Sequence, residues 1–337
     1  MLIKLPIIFF IFSVISFFIC KKFNLLIDNK SEKHKKYASN YKSHLLGGPL
    51  LISFFCFYVI FFQNNFILLS FFTSIFFIGF FSDIKIINSV SLRFFLQILV
   101  IICFAHILNI EIERTNLKFI DELIKVNILN IIFVTFCLTI LINGTNFIDG
   151  INGLVITYYI IIYLIIYIFF QDFFYNKELI SFLISILIIL LIFNLSGHVY
   201  LGDSGSYLIS IFTGTFLINF ASQNTSMSPY LIIILLWYPC FELLFSMIRR
   251  FINKNKTYKP DTNHLHQLIF NFIKKKINYK NNLIIHSISS LLINIYNLIC
   301  FLVCINYIYN STVLVLILTF NIFIYISVFN LLKNIKY

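Results

Sequence analysis

Apolar runs close to the length of a bilayer crossing recur eleven times along this chain. They lie near residues 3–20, 45–62, 66–82, 93–110, 127–142, 154–170, 179–195, 206–220, 229–248, 283–305 and 311–332. A hydrocarbon core takes about 20 apolar residues as a helix. The pattern therefore predicts an all-α polytopic membrane protein of about eleven transmembrane helices, with the fifth and eighth runs short enough to need neighbours at their ends. The first run lacks a small-residue cleavage site and reads as a membrane helix rather than a signal peptide. Of the 337 residues 60% are hydrophobic and 11% charged, against about 25% charged in a soluble domain. That balance excludes an ordinary soluble enzyme, a disordered chain, a disulfide-stapled secreted domain and a soluble nucleic-acid binder. The seven cysteines form no CxxC pair and read as small packing residues.

The net charge is +12, from 25 Lys and Arg against 13 Asp and Glu. Sorted by side of the membrane, twenty of those cations fall between spans one and two, three and four, nine and ten, or after span eleven; Lys4, Arg114, Lys118, Lys125 and Lys177 fall on the other side. Orientation follows Lys and Arg alone. The basic side is expected to be cytoplasmic, with the N-terminus outside and the C-terminus cytoplasmic. No repeat, linker or second soluble domain interrupts the chain, so residues 1–337 read as one integral-membrane domain.

Asn, Phe, Ile and Lys are abundant, so any one of them carries little information; spaced combinations carry more. Four short polar stretches fall on the expected cytoplasmic side, at 82–93, 143–154, 196–206 and 249–282. They hold Ser82 and Asp83; Asn143, Asn146, Asp149 and Asn152; Asp203 between Gly202 and Gly205; and Arg249, Arg250, Asp261, His264 and His266. Each has a bland reading taken alone. A lone aspartate at a helix end caps it, an asparagine marks a turn, a loop histidine is solvated, and basic loops attract anionic lipid. Convergence on one face asks for more. Carboxylates beside glycines would repel an anionic substrate unless a divalent cation lies between, and Mg²⁺ takes one or two carboxylates plus phosphate oxygens. Arg and His then supply donors to the remaining phosphate charge. Asp83, Asp149 and Asp203 with the basic, His-containing loop thus describe a phosphoryl-transfer site at a membrane surface. Glu242, inside span nine and seven residues before Arg249, is an intramembrane acid about 10 Å from the cytoplasmic end and a functional candidate by default.

These residues resemble the polyprenyl-phosphate N-acetylhexosamine-1-phosphate transferases (glycosyltransferase family 4), which include the phospho-N-acetylmuramoyl-pentapeptide transferases. The resemblance runs from about residue 30 to 266. Asn143, Asn146, Asp149, Gly150, Asn152, Gly153 and Leu154 resemble the family's NxxNxxDGxDGL. Val199, Gly202, Asp203, Gly205 and Ser206 resemble VFxGDxGS. Pro239 with Glu242, followed by Arg249 and Arg250, resembles PxxD…RR, and Asp261, His264 and His266 resemble DxxHLHH. The resemblance implies transfer of a sugar-1-phosphate, expected to be N-acetylhexosamine-1-phosphate, from a UDP-sugar to undecaprenyl phosphate. UMP leaves, at the cytoplasmic face of a bacterial inner membrane, as the first membrane step of a cell-envelope glycan such as lipopolysaccharide or cell wall. It further implies Mg²⁺ (Mn²⁺ substituting) on Asp203 and a catalytic set of Asp83, Asp149, His264 and His266. Asn143, Asn146, Asn152, Arg249, Arg250 and Glu242 would contact substrate. Bilayer lipid and a second copy in a homodimer are expected partners, and nucleic acid is not.

The chain departs from the family at chosen places. The first acid of an Asp-Asp pair is Ser82, the second acid of DGxDG is Asn152, the helix-nine Asp is Glu242, the third His is Gln267, and a Ser-Pro-Phe is missing. A dianionic lipid phosphate, with a second pKa near 6, needs no base at neutral pH, so loss of the first acid is compatible with turnover. A catalytically inactive scaffold would be expected to lose Asp203, and a secondary transporter would place broken helices and charges at the bilayer midplane. The chain is accordingly expected to be an enzyme. The sugar is not legible.

Overall fold

Backbone amides find no water in hydrocarbon, so long apolar segments satisfy them internally as helices. The computed structural model describes residues 4–28, 43–59, 65–170, 177–253, 263–277 and 281–335, and among these it is helical, with no strand beyond two isolated bridges, Ile27 to His44 and His44 to Val199. The helices in chain order are α1 (Lys4–Phe23), α2 (Gly47–Tyr58), α3 (Phe66–Asp83), α4 (Val90–Ile107), α5 (Lys118–Leu123), α6 (Asn127–Ile148) and α7 (Leu154–Phe169). There follow α8 (Lys177–Leu195), α9 (Gly202–Gln223), α10 (Tyr230–Leu235), α11 (Trp237–Ile252), α12 (Leu265–Ile277), α13 (Asn282–Ile305) and α14 (Ser311–Asn334). Eight of them, α1, α3, α4, α6, α8, α9, α13 and α14, are long and apolar enough to cross a membrane; α2 and α7 are apolar but shorter. The chain is a multi-pass membrane protein.

Helix α9 is the hub, with α2, α3, α6 and α7 packed around it. Its face is made of small residues, and small residues let helices approach where no hydrophobic force separates protein from lipid. A methyl group on Gly79 of α3 would lie 2.5 Å from the Ser204 Cα. The hydroxyls that would otherwise be stranded bond back along the helix, Ser210 to the Ser206 carbonyl at 2.7 Å and Thr213 to that of Ile209 at 2.6 Å.

Two elements differ from the sequence expectation. The stretches around Asn143–Ile148 and Gly202–Ser206 are not loops: they are the last turns of α6 and the first turn of α9. Polar residues continue the helix there because tertiary partners satisfy them. The apolar run at 229–248 is also not one helix. It breaks at Leu236 into α10 and α11, and Pro239 falls in the first turn of α11, where its missing N–H is tolerated. Gly144 of α6 packs on that break; a methyl group there would meet the Pro239 carbonyl oxygen at 2.3 Å.

The last three helices close one flank. α12 is amphipathic, burying Leu265, Leu268, Phe270 and Ile273 against α13 and α14 and exposing Lys274, Lys275 and Lys276. α13 reaches α11 through Trp237, whose indole donates to Asn297 Oδ1 at 2.9 Å.

Candidate active site

The N-terminus of α9 begins the site. Four amides at a helix start lack intrahelical partners and favour a negative charge. No side chain from the preceding residue caps α9; Asp83, at the end of α3, does so from another helix. Its Oδ1 accepts from the Asp203 amide at 2.8 Å, and its Oδ2 from the Ser204 amide at 3.1 Å and the Ser204 hydroxyl at 2.6 Å. Gly202 makes room for this. Its φ of +73° is a left-handed conformation that L side chains rarely adopt, and a Cβ would lie 2.8 Å from Asp83 Oδ2.

Asp203 is then free to face outward. Its side chain is 23% exposed, and its Oδ2 receives the Ser82 hydroxyl at 2.6 Å and the guanidinium of Arg93, from the first turn of α4. Arg93 Nη1 also donates to Ser82 Oγ at 2.5 Å. One serine thus bridges an arginine and an aspartate at the meeting of α3, α4 and α9.

The end of α6 joins this acidic cluster to a second one. Asn146 Oδ1 accepts from the Ser206 hydroxyl at 3.3 Å, which ties α6 to α9. The next residue, Phe147, faces the other way: the His264 ring meets it edge-on with centroids 5.2 Å apart, and the Arg250 guanidinium lies 5.3 Å above it. A methyl group on Gly150 would lie 2.7 Å from His266 Nε2. Asp149, half-buried, ends α6 between the two clusters.

The second cluster is enclosed. Glu242 has no exposed surface; its Oε1 accepts from His264 Nδ1 at 2.9 Å and its Oε2 from the Tyr325 hydroxyl at 2.6 Å. Because a carboxylate only accepts, Nδ1 is the protonated nitrogen, which turns Nε2 away from Glu242 and towards Arg250 Nη2, 3.4 Å distant. Ser246 adds a contact to Nδ1 at 3.2 Å. His266 stacks on His264 with ring centres 5.5 Å apart. It is fully buried, and neither of its ring nitrogens has a hydrogen-bond partner among the described residues. Burial pushes its pKa down from 6.5 to about 3.

Of the residues expected from sequence, Asp83, Asp203 and Asn146 come together at one pole, and Glu242, Arg250, His264 and His266 at the other, with Asp149 between. Three do not join either set. Asn143 bonds Gln97 Oε1 of α4 and the Thr139 carbonyl, both at 2.8 Å. Asn152 donates to the Asn194 carbonyl at 3.0 Å, fastening the α6–α7 turn to α8. Arg249 stacks over Phe329 of α14, 5.5 Å from the ring centre. Asp261 lies outside the described residues. Sequence reasoning missed Arg93 as the partner of Asp203, and missed Tyr325 entirely. No spacing signal connects positions 242 and 325, 83 residues apart on separate helices.

An apolar cavity of about 620 Å³ lies against α6, α9, α10, α11 and α14, lined among others by Leu138, Leu141, Gly214, Trp237, Phe241 and Leu318. Its lining on α6 ends at Leu141, five residues before Asn146. Its far end is polar, at Glu113, Arg114 and Thr115.

Comparison with known proteins covers part of this chain. The family model described as glycosyl transferase family 4 matches residues 65–221. That stretch holds Asp83, Arg93, Asn146, Asp149 and Asp203 and stops short of Glu242, Arg250, His264 and His266. A curated relative from Thermotoga maritima, an undecaprenyl-phosphate alpha-N-acetylglucosaminyl 1-phosphate transferase, is 31% identical over 91 residues. The alignment covers 27% of this chain and 29% of that relative.

Proposed function

We propose, from the match of residues 65–221 to glycosyl transferase family 4, that the protein moves a sugar-1-phosphate, an N-acetylhexosamine-1-phosphate, from a UDP-sugar to undecaprenyl phosphate. The observation that carries this reading is the pairing, across the end of α6, of an outward-facing carboxylate at Asp203 with an oriented histidine–arginine group at His264 and Arg250. An acceptor phosphate oxygen attacks the phosphorus attached to the sugar, the bond between the two phosphates of the UDP-sugar breaks, and UMP leaves. The acceptor phosphate is largely dianionic at neutral pH, so Ser82 in place of an acid does not stop the attack.

The donor set suits Mg²⁺. Asp203 is partly exposed, Ser82 offers a hydroxyl oxygen beside it, and no three His, Cys, Asp or Glu side chains among the described residues form a closed cage. Mg²⁺ is bound through one or two carboxylates and completes its shell with water and substrate phosphate. Asp203 would hold the ion, which when bound neutralises diphosphate charge. The protein's own groups do the remaining work. Asp83 holds the start of α9, and with it Asp203, in place. Arg93 and Arg250 offer N–H donors to phosphate oxygens. Glu242 and Tyr325 keep the His264 ring in one orientation. Asn146, at the acidic pole, and Asp149, at the end of α6, would line the nucleotide pocket.

The apolar cavity beside α6 suits the acceptor's hydrocarbon tail. Eight long helices, with α2, α7 and the α10–α11 pair as three more, make eleven crossings in one domain. The Lys and Arg distribution supports a cytoplasmic position for both poles, at an inner membrane, where sugar nucleotides are made. Purified protein given undecaprenyl phosphate, Mg²⁺ and a panel of UDP-N-acetylhexosamines is expected to release UMP and form a lipid diphosphosugar. Absence of Mg²⁺-dependent UMP across the whole panel overturns the reading.

A further inference from the structure

Two like charges stand at the start of α9, Asp83 and Asp203, and Arg93 pairs with the second of them. Asp83 is engaged by the α9 amides and the Ser204 hydroxyl. Asp203 Oδ2 already receives both Arg93 and Ser82. Ser82 determines this geometry. As a donor to Asp203 and an acceptor from Arg93 it seats the guanidinium on the carboxylate; an acid at position 82 would add a third negative charge and favour a divalent ion over a single guanidinium. The seat is not a saturated one for the arginine. Its Nε is buried without a hydrogen-bond partner among the described residues, while the side chain keeps 19% exposure. A guanidinium has five N–H donors in a fixed fork that suits phosphate at least as well as carboxylate.

We propose that Arg93 is a built-in competitor for the divalent cation at Asp203: in the substrate-free protein it occupies the carboxylate, and the ion enters together with the sugar-nucleotide diphosphate, onto which Arg93 transfers its donors. This rests on Asp203 being the metal ligand of the proposed reaction. The same oxygen cannot be neutralised by a guanidinium and coordinate a dication without strong repulsion between the two. Metal binding to the free protein is therefore weak, and ordered binding follows from charge alone. Arg93 is a positioning residue until the diphosphate arrives and a substrate contact afterwards.

The test uses Mn²⁺ alone, without nucleotide, titrated into the full-length detergent-purified protein and read by electron paramagnetic resonance. Arg93→Gln and Arg93→Met are expected to bind Mn²⁺ about tenfold more tightly than wild type, as removal of a competing charge requires. Asp203→Asn is expected to abolish that binding. On the wild-type protein, Mn²⁺ is expected to accelerate phenylglyoxal modification of Arg93, read by peptide mass spectrometry, because the ion displaces the guanidinium from its carboxylate. If both Arg93 variants bind Mn²⁺ no more tightly while Asp203→Asn still abolishes binding, the competition is overturned and the metal reading stands. If Asp203→Asn binds Mn²⁺ as wild type does, both fall. Unchanged or slowed modification of Arg93 on adding Mn²⁺ overturns the competition without reference to any variant.

Discussion

The two poles of the site use a carboxylate in opposite ways. At α9 the acids divide the work between neighbours: Asp83 is consumed by backbone amides, and Asp203 is left partly exposed beside Arg93. At α11 one acid, Glu242, is sealed from solvent and holds His264 and the Tyr325 hydroxyl. An exposed carboxylate can exchange partners, which suits an ion and a charged substrate that come and go. A sealed carboxylate cannot, and acts by fixing the direction of the histidine that can. The first pole lies inside the segment matched by the family and the second lies outside it, so the part that handles charge and the part that orients donors are separable in sequence as well as in space.

The contrast is broken most severely at Asp203. Asp203→Asn keeps the size and loses the charge, and is expected to lower kcat by about a thousandfold, the scale of removing a preorganised electrostatic contact. The melting temperature of the detergent-solubilised protein should change little. Asp83→Asn should behave in the reverse sense. It keeps one acceptor oxygen and loses the second, so α9 loses part of its cap, and stability is expected to fall by about 1–2 kcal/mol. Parallel measurement of UMP release and thermal unfolding separates the two. Equal effects of the two variants on both readouts would remove the division of labour.

Titration sharpens the comparison at the buried pole. His266 lies outside the apolar spans, and desolvation holds its pKa at about 3 against an ordinary 6.5. Between those values the unfolded chain takes up a proton that the native state refuses, so stability is present above 6.5 and is lost as pH falls below it, by up to about 1.4 kcal/mol per pH unit. By pH 5 the loss reaches about 2 kcal/mol on that slope. His266→Gln, which cannot titrate, should unfold with a correspondingly flatter dependence on pH between 7 and 5. Parallel curves for wild type and variant would show that the imidazole is solvated.

Much of this architecture is written in the apolar runs, because burial in hydrocarbon leaves the backbone few options. What escaped is informative about polar residues. Asn143, Asn146, Ser204 and Ser206 have turn-forming side chains, and read locally they announce loops. They sit in helices because partners far away in sequence satisfy them, such as Gln97 for Asn143 and Asp83 for Ser204. The capping reading of Asp83 was available from the sequence, but the helix it caps was not, since 120 residues separate it from the Asp203 amide. The break at Leu236 was hidden by an unbroken run of apolar residues around Pro239. Gathering of the candidate residues at helix ends was legible; their division into an exposed and a sealed pole depends on side-chain partners that no spacing rule supplies.

Tyr325 offers the finest cut, because it reaches the sealed pole from the last helix and touches none of the reacting groups directly. Its hydroxyl donates to Glu242 Oε2 at 2.6 Å while its ring packs against Phe241 and Phe245. Tyr325→Phe keeps those ring contacts and removes only the donor, leaving Glu242 held by His264 and Ser246. The expected loss is about 1 kcal/mol of stability and about a fivefold fall in kcat, the scale of one net hydrogen bond. KM for the acceptor lipid is expected to be unchanged, since the phenol is not placed at its tail or phosphate. Glu242→Gln made on top of it should add less than it does alone, because the two changes act on one network. Additive losses would mean that Tyr325 merely anchors α14. A sub-additive pair, with kcat moved and KM fixed, would show that the donor from α14 reaches the chemistry through Glu242 and the His264 ring, and that the C-terminal helix outside the family match is part of how the site is set.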